Sequence, residues 1–112
     1  MNEGNPEIQL MIARKVLAYA QAKEESFSFD PWTIMAICNC IISVCKLLYM
    51  CYSRESVASA IKTNSILHRI LLKREVRRRF KDKTQRKALI NSFFEAGASL
   101  SETELYQLMD SI

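Results

Sequence analysis

The sequence predicts an all-α protein of four to five helices, arranged around one long apolar central helix at about residues 31–53. Two observations lead to this fold class. The 112 residues include only two glycines and two prolines, which are too few turn-forming residues for a fold of many short strands. Apolar side chains also recur with a period near 3.6 residues in several segments, which indicates amphipathic helices. The length suits a single helical domain, residues 1–112.

The first helix is expected to begin at Pro6, because proline fits the first helical position and Asn5 before it can act as the N-cap. An apolar stripe of helical period follows, and its members are Ile8, Met11, Ile12, Val16, Tyr19 and Ala20. This stripe should pack on other parts of the protein, and the helix should end within residues 24–28.

A second start signal, Asp30 followed by Pro31, opens the long apolar helix. Of the twenty residues Trp32–Cys51, sixteen are apolar. As a helix this segment is about 30 Å long, close to the thickness of a bilayer core. Aromatic residues near both of its ends would fit the two interfaces of a membrane. A transmembrane helix is therefore one interpretation of this segment.

Three polar residues in this helix, Asn39, Ser43 and Lys46, favour the interior of a protein instead. Their spacing puts them on one narrow stripe, which would face a neighbouring subunit. A lysine near the bilayer centre costs about 2.5 kcal/mol or more on insertion scales. We therefore favour a core helix and keep the membrane span as the alternative.

The sequence contains no recognisable catalytic or metal-binding motif. All four cysteines fall within residues 38–51, and positions along one straight helix rarely meet the geometry of a disulfide. We expect reduced thiols, buried as small apolar groups. Cys38 and Cys45 share a face but supply only two metal ligands, and the single histidine, His68, has no cysteine or carboxylate at helical spacing. The sequence thus predicts a non-enzymatic protein with no cofactor, metal or small-molecule substrate.

Ser53 can cap a third helix, expected over residues 54–81, in whose second half apolar and basic side chains alternate around the helix. Asp82 can cap a fourth helix over residues 83–96, which Gly97 is expected to terminate. The core should combine the apolar faces of all the helices and comprise Ile12, Val16, Ile34, Ile37, Ile41, Val44, Leu48, Ile61, Leu67, Leu71, Leu89, Phe93 and Leu105.

A last short helix should follow Ser101, which forms a capping-box pattern with Glu104. The single domain then has three parts: an apolar helical half (1–53), a helix with a basic block (54–81) and an acidic-ended C-terminal helical pair (82–112).

Charge is distributed unevenly along the chain. Residues 1–68 carry six basic and six acidic side chains, and residues 69–87 carry ten basic and two acidic ones, a net charge of +8. Residues 88–112 carry four acidic side chains and no basic one, a net charge of −4. A neutral apolar half is therefore joined to a basic block and an acidic end.

The basic block includes two rows of helical spacing that can straddle phosphate groups or meet an acidic partner. The rows comprise Arg69, Lys73 and Arg77, and beside them Arg74, Arg78 and Lys81. Each neutralised phosphate would release a counterion, which favours binding at low salt. Sequence-specific reading of nucleic acid is not expected, because Phe80 is the one aromatic residue inside the block.

The acidic end is predicted to contact the basic block of a neighbouring subunit. A turn at Gly97 would bring the last helix close to the fourth helix rather than to residues 69–81 of its own chain, so a second copy is the easier partner. Exposed ion pairs contribute only about 0–1 kcal/mol each, so an apolar edge must supply most of the attachment. The residues assigned to this contact are Glu102, Glu104, Leu105, Leu108 and Met109.

Two segments of the chain resemble small helical virion proteins of tailed bacteriophages. One is a D-P-x-T-I pattern followed by an apolar helix that ends in a basic residue. The other is a helical tail in which phenylalanine, glycine, leucine, glutamate and leucine follow at short intervals. Here these residues are Asp30, Pro31, Thr33, Ile34, Lys46, Phe94, Gly97, Leu100, Glu104 and Leu105. The resemblance spans about residues 29–112 and implies a component of the portal, neck or internal core, with no catalytic residues.

Three functions follow as predictions. The favoured one is a non-enzymatic structural subunit of a homo-oligomeric phage assembly, located in the virion or host cytoplasm, whose partners are further copies and other virion proteins. The first alternative is a membrane-inserting, holin-like or ejected pore-forming protein that uses the helix at 31–53. The second alternative is sequence-independent contact with nucleic acid such as DNA through residues 69–87.

Overall fold

The structure is a computed structural model that describes residues 6–24 and 26–112, and it confirms the all-α class. The described residues form six helices and no strand. The helices are α1 (Pro6–Lys23), α2 (Pro31–Tyr49), α3 (Arg54–Thr63), α4 (Ile66–Arg79), α5 (Lys83–Ser99) and α6 (Glu102–Asp110). The predicted cap Asn5 lies outside the described residues, and α1 ends at Lys23, just before the expected range.

The sixth helix arises because the helix predicted over residues 54–81 is broken in two, so the expected count of four to five is one short. Asn64 adopts a left-handed conformation, with φ 52° and ψ 55°, which stops α3. Ser65 then caps α4, since its hydroxyl accepts a hydrogen bond from the backbone N–H of His68 at 3.3 Å. A stop residue and a cap in succession leave no room for a continuous helix.

The other predicted N-caps are formed as expected. Asp30 accepts a hydrogen bond from the N–H of Thr33 at 2.8 Å, Ser53 caps α3 and Asp82 caps α5. At its other end α2 stops at Tyr49, four residues before the predicted boundary, because the chain needs a turn before the cap at Ser53.

Gly97 does not terminate its helix, because it lies at a close contact between α5 and α3. A β-carbon at this position would come within 3.2 Å of both the Cγ2 atom and the carbonyl oxygen of Ile61. Glycine therefore permits two helices to approach, and α5 continues to Ser99. The ammonium of Lys62 on α3 secures the end of α5 by donating to the carbonyl oxygen of Leu100 at 2.6 Å.

The most extensive helix pair is α1 with α5, and α2 lies to one side of it rather than at the centre. Helix α1 contacts α5, α2 and α6; helix α2 packs on α1, α4 and the adjoining part of α3. The expectation of a central α2 is wrong because only one face of that helix is covered, while Trp32 and Met35 point outward. Helix α6 rests on α3 and α1, where the amide of Gln9 donates to the carbonyl oxygen of Ser111 at 3.0 Å.

The core follows the predicted apolar faces closely. Ten of the thirteen predicted core residues are buried, and the other three, Ile34, Leu67 and Leu71, are half-buried against the core. Helix α1 adds Ala13, Leu17 and Ala20 to this set, and none of the three has exposed surface.

Candidate nucleic-acid interface

Helix α4 has a buried apolar side, although Ile66 and Ile70 are exposed on its basic side or near it. Leu72 and Val76 are buried, whereas Arg69, Lys73 and Arg77 are exposed. The three basic residues follow one another at four-residue intervals, which places their Cα atoms about 6 Å apart along the helix axis. One side of α4 is therefore a row of cations that point into solvent.

The first half of α5 supplies a second row that faces the first across a groove. Lys83, Arg86 and Lys87 occupy one face of α5 by their three- and four-residue spacing. Together with the α4 row they form the rim of the groove, whose base is completed by Ile90, Asn91 and Phe94. Six basic side chains thus surround one concave surface.

No carboxylate lines this groove in the part of the chain that the structure describes. The nearest acidic side chain on α4, Glu75, is turned inward and is only 2% exposed, and Asp82 is engaged as the cap of α5 at 2.9 Å from the N–H of Gln85. Arg69 uses its Nε atom to donate to the carbonyl oxygen of Asn64 at 2.9 Å, a contact that leaves its charge uncompensated. The groove is therefore a concentrated positive site.

The structure places three of the six predicted basic residues in the groove, together with three further ones from α5. Arg69, Lys73 and Arg77 line the groove. Arg74 and Arg78 lie on the adjoining side of α4, together with Ile70, and Lys81 is exposed in the linker to α5. Sequence reasoning included the three basic residues of α5 in the block 69–87 but in neither of the two rows, although their helical spacing was a visible signal.

The apolar edge of the predicted tail contact is not available to a neighbour. Leu105, Leu108 and Met109 are buried in the core of their own chain, because α6 folds back onto α3 and α1. A contact through these three residues would require α6 to leave the core. Glu102 remains exposed, and Glu104 completes the capping box by accepting from the N–H of Ser101 at 2.8 Å.

The other acidic residues near the chain end pair with basic residues that do not line the groove. Asp110 forms an ion pair with Arg54 at 2.5 Å, and Glu95 pairs with Lys23. The ion pair with Arg54 also holds the pKa of Asp110 below its usual value, mainly through the hydrogen bond that it accepts. The basic groove is thus not neutralised by the acidic end of the same chain.

A partly buried polar cluster joins α4 to α2. The guanidinium of Arg79 donates to the carboxylate of Glu75 at 2.7 Å and to the hydroxyl of Ser43 at 3.2 Å. Ser43 therefore has a partner inside the chain, whereas Asn39 and Lys46 of the predicted polar stripe are exposed. The cluster fixes α4 on α2 and turns the remaining cations of α4 outward.

The thiols behave as apolar groups, with one exception. Cys38, Cys40 and Cys45 are buried, but Cys51 is exposed. Burial raises the pKa of Cys40 to about 11 and that of Cys45 to about 12. Among residues 6–24 and 26–112, no group of three or more metal-ligating side chains converges.

Helix α2 is long and apolar enough to cross a membrane by length and composition. Only part of α2 is buried inside the protein, including Ile37, Ile41, Val44 and Leu48. The core helix of a water-exposed protein meets the same criterion.

Comparison of the chain with protein-family models, with curated proteins and with solved structures finds no match in any of the three.

Proposed function

We propose that this protein is a non-enzymatic subunit that binds the phosphate backbone of nucleic acid without sequence specificity, through the groove between α4 and α5. The observation that carries this proposal is the set of six basic side chains around one groove with no carboxylate among its lining residues. Unpaired cations at such density attract a polyanion, because each phosphate that they neutralise releases a condensed counterion.

The spacing of the cations suits an extended chain of phosphates better than a single small anion. The α4 row rises about 6 Å with each step, so it covers about 12 Å from Arg69 to Arg77. A small anion would need several donors that converge on one point, whereas these side chains are spread along two helices. Asn91 is the one amide among the lining residues, so recognition of adenine by paired amide contacts has little support.

The wider setting that we propose is a homo-oligomeric particle, in keeping with the resemblance to phage virion proteins. Packaged or translocating DNA would be the polyanion there, and the protein would be found in the virion or host cytoplasm. A single groove of six cations binds weakly at physiological salt, but repeated copies along one nucleic acid would increase the apparent affinity through multivalency.

Fluorescence anisotropy with labelled DNA of two unrelated sequences tests this proposal, over about 50–200 mM salt. If all six cations meet phosphates, a plot of the logarithm of the association constant against the logarithm of the salt concentration should have a slope of about −5 on duplex DNA. Substituting Lys73→Gln together with Arg77→Gln should make the slope less steep by about 2, with equal effects on both sequences.

The matched control removes two charges elsewhere, by Arg14→Gln together with Lys15→Gln on α1. Its salt slope should stay close to that of the unaltered protein. An equal loss of slope in both double variants would show that only net charge matters. Absence of binding at 50 mM salt would refute the proposal.

A second candidate function is membrane insertion of α2, which its length and apolarity favour. Insertion would strip α1 and α4 from the buried face of α2, so it would have to be coupled to opening of the core. Fractionation of cells that express the protein alone tests this candidate. Recovery in the soluble fraction without detergent would refute it.

A further inference from the structure

The exposed face of α4 extends beyond the groove that it forms with α5. Seven residues make up this face, and all are exposed: Ile66, Arg69, Ile70, Lys73, Arg74, Arg77 and Arg78. They follow at alternating intervals of three residues and one, which gives a continuous stripe along one side of an α-helix. Five of the seven are cations and none is acidic. We call this face the α4 ridge.

The cations of the α4 ridge border two concave surfaces, one on each flank. Arg69 lines the groove toward α5, whereas Arg74 and Arg78 line a second surface that no α5 residue borders. Lys73 and Arg77 line both surfaces, so they lie between them. The ridge therefore offers positive charge to two separate strands of phosphates.

The second flank keeps most of its charge. Arg78 lies 3.5 Å from a carboxylate oxygen of Glu75, but its side chain is still 63% exposed. The same carboxylate binds Arg79 more closely, at 2.7 Å. Among the residues that the structure describes, no acidic one lines this surface.

We propose that the α4 ridge enters the major groove of duplex DNA, with one phosphate backbone in the groove between α4 and α5 and the other along Arg74 and Arg78. This inference rests on the proposed function and specifies its ligand. An α-helix with its side chains is about 10–12 Å across, and the major groove of B-form DNA is about 12 Å wide. The ridge thus fits between the two backbones, whereas a single strand would occupy only one of its flanks.

Two exposed isoleucines favour contact with the bases in this groove. Ile66 is 74% exposed and Ile70 is 57% exposed, and their helical positions lie between the two cationic flanks. An isoleucine gains nothing from a phosphate, but it can pack on the thymine methyl group, which the major groove displays. Isoleucine side chains form no hydrogen bonds to base edges, which agrees with binding that has little sequence specificity.

Duplex DNA and duplex RNA of equal length and equivalent sequence provide the first test, by fluorescence anisotropy at one salt concentration. The major groove of an RNA duplex is deep and narrow and does not admit side chains, although its phosphates carry the same charge. Duplex DNA should bind at least tenfold more tightly. Equal affinities would overturn this inference and leave backbone binding intact, whereas failure of both to bind would refute the proposed function as well.

Removal of the second flank provides another test. Eight cations rather than six then meet phosphates, so the salt slope on duplex DNA should be about −7. Arg74→Gln together with Arg78→Gln should make this slope less steep by about 2, while the pair Arg14→Gln and Lys15→Gln should not. A slope of about −5 that loss of Arg74 and Arg78 leaves unchanged would mean that DNA occupies only the groove between α4 and α5, and would overturn the inference.

Disulfide exchange locates the ridge on the DNA. Ile70→Cys in a Cys51→Ser background should displace the capping thiol of a mixed-disulfide tether on cytosine N4, which lies in the major groove. It should not react with the same tether on guanine N2, which lies in the minor groove. Met11→Cys, at an exposed position of α1, is the matched control and should react with neither. Equal trapping of Ile70→Cys by both tethers, or a preference for the minor-groove tether, would overturn the inference.

Discussion

Acidification should destabilise the fold through one buried imidazole, His68. This side chain is 5% exposed, and its Nδ1 atom has no hydrogen-bond partner within the protein. It lines a small cavity of about 40 Å³ whose other walls are apolar, Leu72 and Phe93 among them, and its ring is tilted against that of Phe94 at a centroid distance of 6.2 Å. Burial lowers the pKa of His68 from 6.5 to about 4, because a charged ring would lose its hydration there.

The sign and size of the effect follow from linkage. Well above pH 6.5 neither the folded nor the unfolded state holds the proton on His68, so the free energy of unfolding has its full value. As the pH falls from 6.5 toward 4, the unfolded chain takes up the proton and the folded chain does not, so the free energy of unfolding decreases. A shift of one pKa unit corresponds to about 1.4 kcal/mol, which gives a loss of about 2 kcal/mol at pH 5 and about 3 kcal/mol below pH 4.

Urea unfolding followed by circular dichroism at pH 7 and pH 5 measures this loss. Carboxylates such as Asp30 and Asp110, whose pKa values are held low by the hydrogen bonds that they accept, add their own pH dependence. His68→Leu keeps those carboxylates and removes the imidazole, so the difference between the two proteins gives the contribution of His68 to the pH dependence. The unaltered protein should lose about 2 kcal/mol more than the variant between the two pH values; equal losses would refute the reasoning.

Three further substitutions probe the packing, each measured by the same unfolding assay at pH 7. Asn64→Ala should cost about 1–2 kcal/mol, because alanine is disfavoured at the left-handed conformation that ends α3; an unchanged midpoint would contradict that conformation. Gly97→Ala should destabilise by about 1 kcal/mol despite its better helix propensity, since the added methyl meets the backbone of Ile61; a gain in stability would show that the two helices can separate freely. Glu75→Ala should cost about 3 kcal/mol by leaving Arg79 without its carboxylate, and Glu75→Leu combined with Arg79→Met should recover much of that loss; if the double variant is as unstable as the single one, packing rather than charge controls this site.

The parts of the fold that the sequence predicts well are those that depend on a few adjacent residues. The caps at Asp30, Ser53, Asp82 and Ser101 each involve a side chain and an N–H only three positions away, so the local pattern is sufficient. The break at Asn64 was also visible locally, in an asparagine that tolerates the left-handed region followed by a serine that can cap. It was missed because apolar periodicity continues across it.

Features that depend on distant contacts could not be predicted in the same way. Gly97 can end a helix or admit a neighbouring helix, and only the position of Ile61 decides between the two. The composition of α2 indicates burial but does not tell how many of its sides are covered. Likewise the amphipathic edge of α6, with Leu105 and Leu108, was recognised, but its partner proved to be the chain's own core.

The candidate groove also combines a part that local sequence predicts with a part that depends on distant contacts. The cation row of α4 follows from four-residue spacing within one helix, so Arg69, Lys73 and Arg77 were identified as one unit. The opposing row from Lys83 to Lys87 depends on the turn between α4 and α5 and on how the two helices pack. Charge counting found these residues, but it could not place them across a groove from the first row.

The pairing of α1 with α5 has a consequence for synthesis on the ribosome. About 76 residues separate the end of α1 at Lys23 from the end of α5 at Ser99, and at roughly 5–20 residues per second this segment takes about 4–15 s to translate. Until α5 is synthesised, α2 is the main partner available to the apolar face of α1. An α1–α2 hairpin should therefore form first and persist until α5 packs on it. Chaperones that bind exposed apolar helices would meet this protein at that stage, before its last two helices emerge.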